Sequence, residues 1–436
     1  MENFKDNFFS NILVSSISEF LNLVIKFFIS ILLARMLGPQ GRGEYALALL
    51  IPWIFIMFFS FGIGEATTVL IGKKRFFIEK VVKSLNFYVI TTSIICFLIY
   101  FFLSDFILKI VKYNIKIELY YLSFLVIPLT LFWGGFASVL LGLSEIKVVS
   151  WGRLLNNIAF IFLLIVFSFF LKITVQIVMI IFSLSLIIEI IYCMYFISKY
   201  TKIGICFEPE VLREQIKFGG KFFVSGLFNY ANRRLDSLLI NFFIGTYYLG
   251  IYTIAVGITE NLLTLSNVLS RVIFSSSATS SNTNESSTTT DSIIRQNIFI
   301  MFLFGLILAV FVRPILVFLY SSKFVDSIIP TLFLIPGVIS LGVGLVIGYA
   351  LAGYEKPEEV TKSSAIACVF TVVLDFILIP KYKVNGAALT STIAYTIGTV
   401  YLIVSYLKIT KHSILDILIL RKQDIKGYFE IFKKKF

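Results

Sequence analysis

The chain has 436 residues, of which 58% are hydrophobic and only 14% are charged, and its formal net charge is +13. A soluble domain of this size needs more charge to cover its surface, whereas repeated apolar runs of about 20 residues match a bilayer core of about 30 Å. The composition therefore predicts an all-α polytopic membrane protein. The basic residues lie mainly between the apolar runs, where they set topology, so the net charge does not indicate a nucleic-acid partner.

Several kinds of enzyme are excluded by the residues that the sequence lacks. The four cysteines show no CxxC spacing, which argues against a zinc site or a disulfide framework. The only histidine is His412, close to the C-terminus, so imidazole catalysis inside the membrane is not expected. The chain also has no GxxxxGK or GxSxG motif, and we therefore expect neither ATP hydrolysis nor serine-hydrolase chemistry.

Taken in chain order, the apolar runs predict twelve transmembrane helices. They cover residues 10–33, 45–71, 85–103, 119–143, 154–171, 175–197, 218–244, 249–274, 298–319, 328–352, 363–379 and 386–407. The Ser/Thr/Asn-rich tract 275–292 has no apolar face and is predicted to be a flexible loop. Residues 414–420 are predicted to form an amphipathic surface helix.

These helices divide into four regions. We predict an N-terminal lobe over 1–198, a cytoplasmic connector over 199–217, a C-terminal lobe over 218–407 and a basic cytoplasmic tail over 408–436. With the N-terminus placed in the cytoplasm, well over half of the 38 Lys and Arg fall in cytoplasmic segments. This bias follows the positive-inside rule and predicts that both termini are cytoplasmic.

The two halves of the chain repeat one another at a constant offset. Asn229 corresponds to Asn22, and Arg233 corresponds to Lys26. Because six spans in each half start both halves on the same side of the membrane, the repeat is parallel. We expect two six-helix lobes around a central cavity.

Polar side chains form a stripe on the first predicted helix and on the seventh. Glu19, Asn22 and Lys26 share a face of the first helix, and Asn229 and Arg233 share a face of the seventh. One interpretation is helix packing with intrahelical ion pairs, such as one between Arg233 and the nearby Asp236.

The interpretation that we favour places both stripes on the central cavity, because charge in hydrocarbon costs several kcal/mol. Lys26 and Arg233 are then symmetry-related cations that attract an anion, and a guanidinium group suits phosphate oxygens. Arg234 points away from this face and is expected to pair with a different helix.

Intramembrane carboxylates indicate a second type of site. Thr371 and Asp375 are four residues apart and share a helical face. Together with Asp236 and Ser391 they offer the oxygen ligands that a hard monovalent cation needs. The alternative is that these groups are partners in salt bridges or hydrogen bonds.

Four motifs resemble those of a known family of membrane proteins. The first is LARMLGP at 33–39 followed by GRGEYAL at 41–47, and the second is the segment 232–244 followed by LGIY at 249–252. The third is LYSSKF at 319–324, and the fourth is LIP at 378–380 followed by VNGAAL at 384–389. In this order they are similar to Wzx-type polysaccharide flippases of the multidrug/oligosaccharidyl-lipid/polysaccharide (MOP) superfamily, which have the MATE-type fold.

The resemblance implies a function, a location and a set of partners. It implies a flippase, not an enzyme, in the bacterial inner membrane that moves undecaprenyl-pyrophosphate-linked oligosaccharide to the outer leaflet. The implied partners are membrane lipids, a polymerase and a chain-length regulator. A cationic lumen in the family agrees with Lys26 and Arg233, flanked here by Glu19, Asn22, Asn229 and Arg234.

The resemblance also implies a coupling ion, Na⁺ or H⁺, and no other cofactor. Some relatives hold sodium with an aspartate on the seventh helix, a polar pair on the eleventh, and a carbonyl and a hydroxyl on the twelfth. In this chain the matching residues are Asp236, Thr371, Asp375, Ala387 and Ser391.

Three alternatives remain open at this point. A flippase for lipid II or teichoic-acid precursors has the same fold and a similar headgroup. A MATE-type drug exporter also shares the fold, although a cationic lumen disfavours its cationic substrates. A polysaccharide polymerase or ligase is polytopic too, but it needs a large outer loop that carries catalytic residues.

Overall fold

The computed structural model describes residues 2–112, 115–279, 283–418 and 421. Within these ranges the side chains of 2–16, 221, 225, 271, 272, 274–279, 283–287 and 289 are not described. The described residues form helices and connecting turns without a strand, as the composition predicts.

Fifteen α-helices account for most of the described chain. They are α1 (Glu2–Ser60), α2 (Ile63–Gly72), α3 (Ile78–Phe102), α4 (Ser104–Ile110), α5 (Ile117–Ser123), α6 (Val126–Gly142), α7 (Ile146–Phe170), α8 (Val175–Ser198), α9 (Pro209–Ile244), α10 (Thr246–Glu260), α11 (Leu263–Thr279), α12 (Thr283–Ile315), α13 (Ile328–Gly353), α14 (Pro357–Thr410) and α15 (Ile414–Leu418). A π-helical turn (Leu316–Tyr320) and a 3₁₀ helix (Ser322–Ser327) join α12 to α13.

Eight helical segments in the described ranges are long and apolar enough to cross a membrane, and the bent pair α10–α11 makes a ninth. The chain is therefore a multi-pass membrane protein. Two of the eight, in α1 and in α14, each consist of two helices joined at a kink. The helix α9 is not among the eight, and the total of twelve spans stays a prediction.

Two corresponding interruptions of the helices, one within α1 and one between α9 and α10, lie at glycines. Gly38 in α1 has φ 66° and ψ −178°, and Pro39 follows it. Gly245, between α9 and α10, has φ 92° and ψ 174°. Glycine adopts positive φ without the steric penalty of a side chain. The two residues correspond in the sequence repeat, so the repeat extends to backbone geometry.

The chain forms two compact units. The first comprises Met1–Tyr230 and Ile240–Gly250, and the second comprises Ala231–Leu239 and Ile251–Phe436. The helix α9 thus contributes its two ends to the first unit and its middle to the second. The lobe boundaries drawn from the sequence remain a prediction.

In the first unit, the start of α9 packs on α2 and α3. The side chain of Gln215 is fully buried, accepts a hydrogen bond from Ser84 Oγ at 2.9 Å and donates one to Thr67 Oγ1 at 3.0 Å. Pro209 begins α9, where the missing N–H of proline costs nothing. The connector predicted over 199–217 is therefore helical in its second half.

In the second unit, α13 packs against α11, α12 and α14. Its core includes Ile273, Ile294, Val346 and Tyr406, all fully buried. Ile417 of α15 belongs to the same core, so this short helix packs on protein through that side chain. Residues 419, 420 and 422–436 of the predicted surface helix and tail lie outside the described residues.

The prediction of a flexible loop over 275–292 is wrong for most of that tract. The helix α11 continues to Thr279 and α12 begins at Thr283, whereas residues 280–282 lie outside the description. A serine hydroxyl within a helix can donate to the carbonyl four residues earlier, as Ser270 of α11 does to Ser266 just before this tract. The tract is therefore largely helical although it has no apolar face.

Candidate functional site

A run of polar side chains occupies the middle of α9. Asn232, Asp236 and Ser237 are buried, and Arg233 and Arg234 are partly exposed. The segment belongs to the second compact unit, where it lies against α10 and α14. Charged and amide groups at this place in an apolar protein need partners, since an unpaired buried charge is costly.

The two arginines share one carboxylate. Arg233 donates to Glu260 Oε1 at 2.9 Å, and Arg234 donates to Glu260 Oε2 at 3.3 Å. Glu260 is the last residue of α10, directly before the 45° bend into α11. Both cations therefore pair with another helix, and the intrahelical Arg233–Asp236 pair weighed from the sequence does not form. Arg234 also lies close enough to the Asp236 carboxyl group to interact with it electrostatically.

Asp236 instead accepts hydrogen bonds from hydroxyl groups. Its Oδ2 accepts from Tyr252 at 2.5 Å and from Ser391 at 3.3 Å. Its Oδ1 accepts from the backbone N–H of Ser237 at 2.6 Å. The structure thus brings Asp236 and Ser391 together, from α9 and from the second half of α14, as the sodium-site hypothesis requires. Tyr252, at the LGIY motif, was not foreseen as part of this group.

The remaining residues of the hypothetical cation site are all fully buried. Thr371 donates to Asn232 Oδ1 at 2.9 Å, which joins α14 to α9. Neither carboxylate oxygen of Asp375 has a hydrogen-bond partner of good geometry among the described residues. Asp236 lies close enough to Asp375 for the two carboxylates to repel each other. Ala387 is also fully buried, and its role as a carbonyl ligand stays a prediction.

The stripe on α1 lies in the first compact unit. Asn22 is buried and accepts a hydrogen bond from Asn157 of α7 at 2.8 Å. Lys26 is exposed, Glu19 is intermediate, and Asn229 of α9 is exposed. Whether Lys26 and Arg233 face a common cavity stays a prediction.

A second group near Lys26 was missed from the sequence. Glu189 of α8 is only 3% exposed, and Arg153 and Lys26 both lie close enough to interact with it electrostatically. The helix predicted over 154–171 leaves Arg153 just outside it, but α7 begins at Ile146 and contains Arg153. Its guanidinium lies over the Trp133 ring, 5.8 Å from the centroid. The sequence feature that could have indicated this group is Glu189 itself, a single glutamate within the apolar run 175–197.

Taken together, the fold and these groups define a helical membrane protein with cationic and anionic side chains inside its transmembrane region. The family model for polysaccharide biosynthesis protein matches residues 8–275 of the chain. The chain belongs to this family, as the four motifs indicated.

Comparisons with known proteins agree with this membership. The chain is 23% identical over 395 residues to the capsular polysaccharide biosynthesis protein CapF of Staphylococcus aureus, covering 88% of this chain and 95% of that protein. Its fold is similar to that of the lipid II flippase MurJ in an inward closed conformation, with a TM-score of 0.77, 18% identity and coverage of 97% and 93% of the two chains. It is also similar to an inward-facing MATE-family multidrug resistance transporter of the MOP superfamily, with a TM-score of 0.74, 15% identity and coverage of 89% and 94%. The predicted MATE-type fold is confirmed.

Proposed function

We propose that the protein is a flippase that moves an undecaprenyl-pyrophosphate-linked oligosaccharide from the cytoplasmic to the outer leaflet of a bacterial inner membrane. Membership of the polysaccharide biosynthesis family and a fold shared with a lipid II flippase support this function. In the proposal both termini are cytoplasmic, and the polymerase and the chain-length regulator act on the product at the outer face.

The observation that carries the proposal is the pair of adjacent, partly exposed arginines in the middle of α9. Arg233 and Arg234 both contact the carboxylate of Glu260. A pyrophosphate group offers several anionic oxygens, and guanidinium groups bind such oxygens through two parallel hydrogen bonds. The Arg233–Arg234 pair with Lys26 therefore suits a diphosphate headgroup better than it suits a cationic drug.

The headgroup, in this mechanism, enters the cationic region while the prenyl chain stays in lipid, since transfer of its apolar surface into water is unfavourable. The two lobes then rock to expose the headgroup to the other side. The membrane potential supplies about 2.3 kcal/mol for each elementary charge moved across 100 mV. A bound cation offers a second source of bias.

The cation site proposed for this role contains Asp236, Thr371, Asp375, Ala387 and Ser391. The residues fit a monovalent cation, because Asp375 is fully buried and both of its carboxylate oxygens lack good hydrogen-bond partners among the described residues. A carboxylate in this position is neutralised by a cation or by a proton. Bound Na⁺ would supply positive charge between the two carboxylates; Asp236 and Ser391 already lie within hydrogen-bonding distance of each other.

A flipping assay in proteoliposomes tests the proposal. We expect labelled lipid-linked oligosaccharide to become accessible from the opposite leaflet with the wild-type protein, and to do so at least tenfold more slowly with Lys26→Ala plus Arg233→Ala, because each lost cation removes a charge-assisted contact of about 1.5–3 kcal/mol. The matched control is Lys172→Ala, an exposed cation between α7 and α8. Wild-type flipping by the double variant would show that these cations do not bind the headgroup.

A second candidate is a flippase for lipid II, since the fold likeness to MurJ extends over 97% of the chain. Its substrate has the same polyprenyl diphosphate chemistry and differs in the sugar part. Competition of lipid II with the lipid-linked oligosaccharide in the same assay discriminates between the two. Preferential inhibition by lipid II would favour the second candidate.

A further inference from the structure

Four helices of the first compact unit meet around the carboxyl group of Glu189. The residue lies on α8 and is 3% exposed. The α7 backbone passes close to it at Gly152, where an added Cβ would stand 3.6 Å from Glu189 Cγ. Asn22 of α1 is tied to the same helix α7 through its 2.8 Å hydrogen bond with Asn157. A carboxyl group that is so enclosed within an apolar protein needs a reason to be there.

The polar neighbours of Glu189 are hydrogen-bond donors. The Trp133 indole N–H of α6 and the Asn156 amide of α7 both lie against its carboxyl group. Yet Trp133 Nε1, Asn156 Nδ2 and Glu189 Oε1 each lack a hydrogen-bond partner of good geometry among the described residues. In a purely structural hydrogen-bond network each buried donor and acceptor has a partner. The contacts around Glu189 do not meet this condition.

The charged neighbours of Glu189 are cations. Lys26 of α1 and Arg153 of α7 interact with it electrostatically. Two further titratable groups are nearby: the Cys193 thiol interacts with Glu189 itself, and Glu19 interacts with Lys26. No cation stands within 4 Å of the Glu189 carboxylate in the described part of the chain, whereas Glu260 is in direct contact with Arg233. Glu189 therefore interacts with the two cations without forming a direct ion pair with either, so that Lys26 and Arg153 are able to contact another anion.

We propose that Glu189 is a proton-binding site that controls anion binding by Lys26 and Arg153. The inference rests on the proposed flippase function and adds a proton to its substrate site. When ionised, the Glu189 carboxylate neutralises part of the cationic charge and opposes an incoming diphosphate. When it takes up one proton, which converts the carboxylate to the acid with no other bond changed, that opposition disappears.

Binding linkage makes this effect reciprocal. If protonation of Glu189 favours the diphosphate, then a bound diphosphate favours protonation of Glu189 by the same factor. The headgroup therefore enters with a proton, and loss of that proton restores the carboxylate and favours release. Arg153, which is absent from the motifs, becomes a second cation for the headgroup beside Lys26.

The test is calorimetric titration of inorganic pyrophosphate into the purified full-length protein. At mildly alkaline pH, Glu189→Gln is expected to bind pyrophosphate roughly tenfold more tightly than the wild type, because the opposing charge is gone. The pH dependence of affinity is expected to be steeper in the wild type than in Glu189→Gln, since titration of pyrophosphate itself is common to both. A merely structural role for Glu189 would weaken binding instead.

Two matched variants complete the design. Glu189→Asp keeps the charge and is expected to retain the wild-type pH dependence, and Glu65→Gln removes an exposed carboxylate of α2 and is expected to change nothing. Titrations in two buffers of different ionisation enthalpy count the protons taken up for each pyrophosphate. We expect up to about one proton more in the wild type than in Glu189→Gln.

The outcomes separate this inference from the proposed function. Equal affinity and equal proton uptake in the wild type and Glu189→Gln, with flipping intact, would overturn the inference alone. A wild-type protein that binds no pyrophosphate at all would overturn both the inference and the cationic headgroup site. Tighter binding combined with slower flipping in Glu189→Gln supports the inference, because release then lacks the returning carboxylate.

Discussion

Gly43 and Gly250 occupy equivalent positions in a reciprocal contact. A Cβ added to Gly43 would lie 1.7 Å from the Thr246 carbonyl oxygen, and a Cβ added to Gly250 would lie 1.9 Å from the Pro39 carbonyl oxygen. In the sequence repeat Gly43 corresponds to Gly250 and Pro39 to Thr246, so the two contacts are images of each other. Gln40 Nε2 adds a 2.7 Å hydrogen bond to Thr246 Oγ1. Backbone meets backbone here because neither glycine carries a side chain.

This contact predicts that Gly43→Ala and Gly250→Ala each destabilise the protein by about 2 kcal/mol or more, because the backbones must separate to admit a methyl group. Thermal unfolding in detergent measures the loss as a lower Tm. Gly257→Ala, on the same helix as Gly250, is the control, since no heavy atom lies within 4 Å of its added Cβ. An unchanged Tm in Gly250→Ala would contradict the close crossing.

Removing the shared carboxylate of the arginine pair is predicted to destabilise the second compact unit. Glu260→Gln leaves Arg233 and Arg234 without their common anion, and we expect a loss of about 1–3 kcal/mol, below the value for a fully buried pair. Glu260→Gln combined with Arg234→Gln is expected to recover part of that loss. The Tm of each variant gives the measurement.

An exposed ion pair provides the comparison for that experiment. Lys362 donates to Glu359 at 2.6 Å, but its side chain is 56% exposed. Lys362→Gln is expected to lower the Tm much less than Glu260→Gln does, because an exposed ion pair contributes little to stability. If it costs as much as Glu260→Gln, the arginine pair has no special energetic role.

The proposed cation site predicts that sodium stabilises the protein. A ligand present at a hundred times its Kd stabilises the folded state by about 2.7 kcal/mol, so the Tm should be higher in NaCl than in KCl at equal ionic strength. Asp236→Asn and Asp375→Asn are each expected to abolish this difference. Asp326→Asn, an exposed aspartate in the 3₁₀ helix, should preserve it. Equal Tm values in the two salts for the wild type would argue against a sodium site.

The buried Gln215 predicts a specific cost at the start of α9. Gln215→Leu leaves the Ser84 and Thr67 hydroxyls without their partner, and we expect a loss of about 2–3 kcal/mol from the two unsatisfied groups. The triple variant Gln215→Leu, Ser84→Ala, Thr67→Val removes every polar atom of the group and should regain most of the stability. A triple variant no more stable than Gln215→Leu would mean that packing, not hydrogen bonding, sets the cost.

The positions of the charged residues in α9 could be predicted from the sequence, but their partners could not. The stripe on α9 was visible because Arg233, Arg234 and Asp236 interrupt an apolar run, and the approach of Ser391 to Asp236 was expected from the family resemblance. Glu260 as the partner of both arginines was not expected, because the contact joins positions 26 and 27 residues apart on different helices. The periodicity of polar residues along one helix does not predict which other helix packs against that face.

The apolar runs and their repetition are enough to identify a helical membrane protein with an internal repeat, because a helix satisfies the backbone of an apolar segment of this length within lipid. The positive φ shared by Gly38 and Gly245, which correspond in the repeat, became visible only in the structure. The compensation of the buried charges is likewise not contained in any local pattern of residues. That outcome depends on which helix faces pack together, as the direct pairing of Glu260 with two arginines and the looser enclosure of Glu189 beside Lys26 and Arg153 demonstrate.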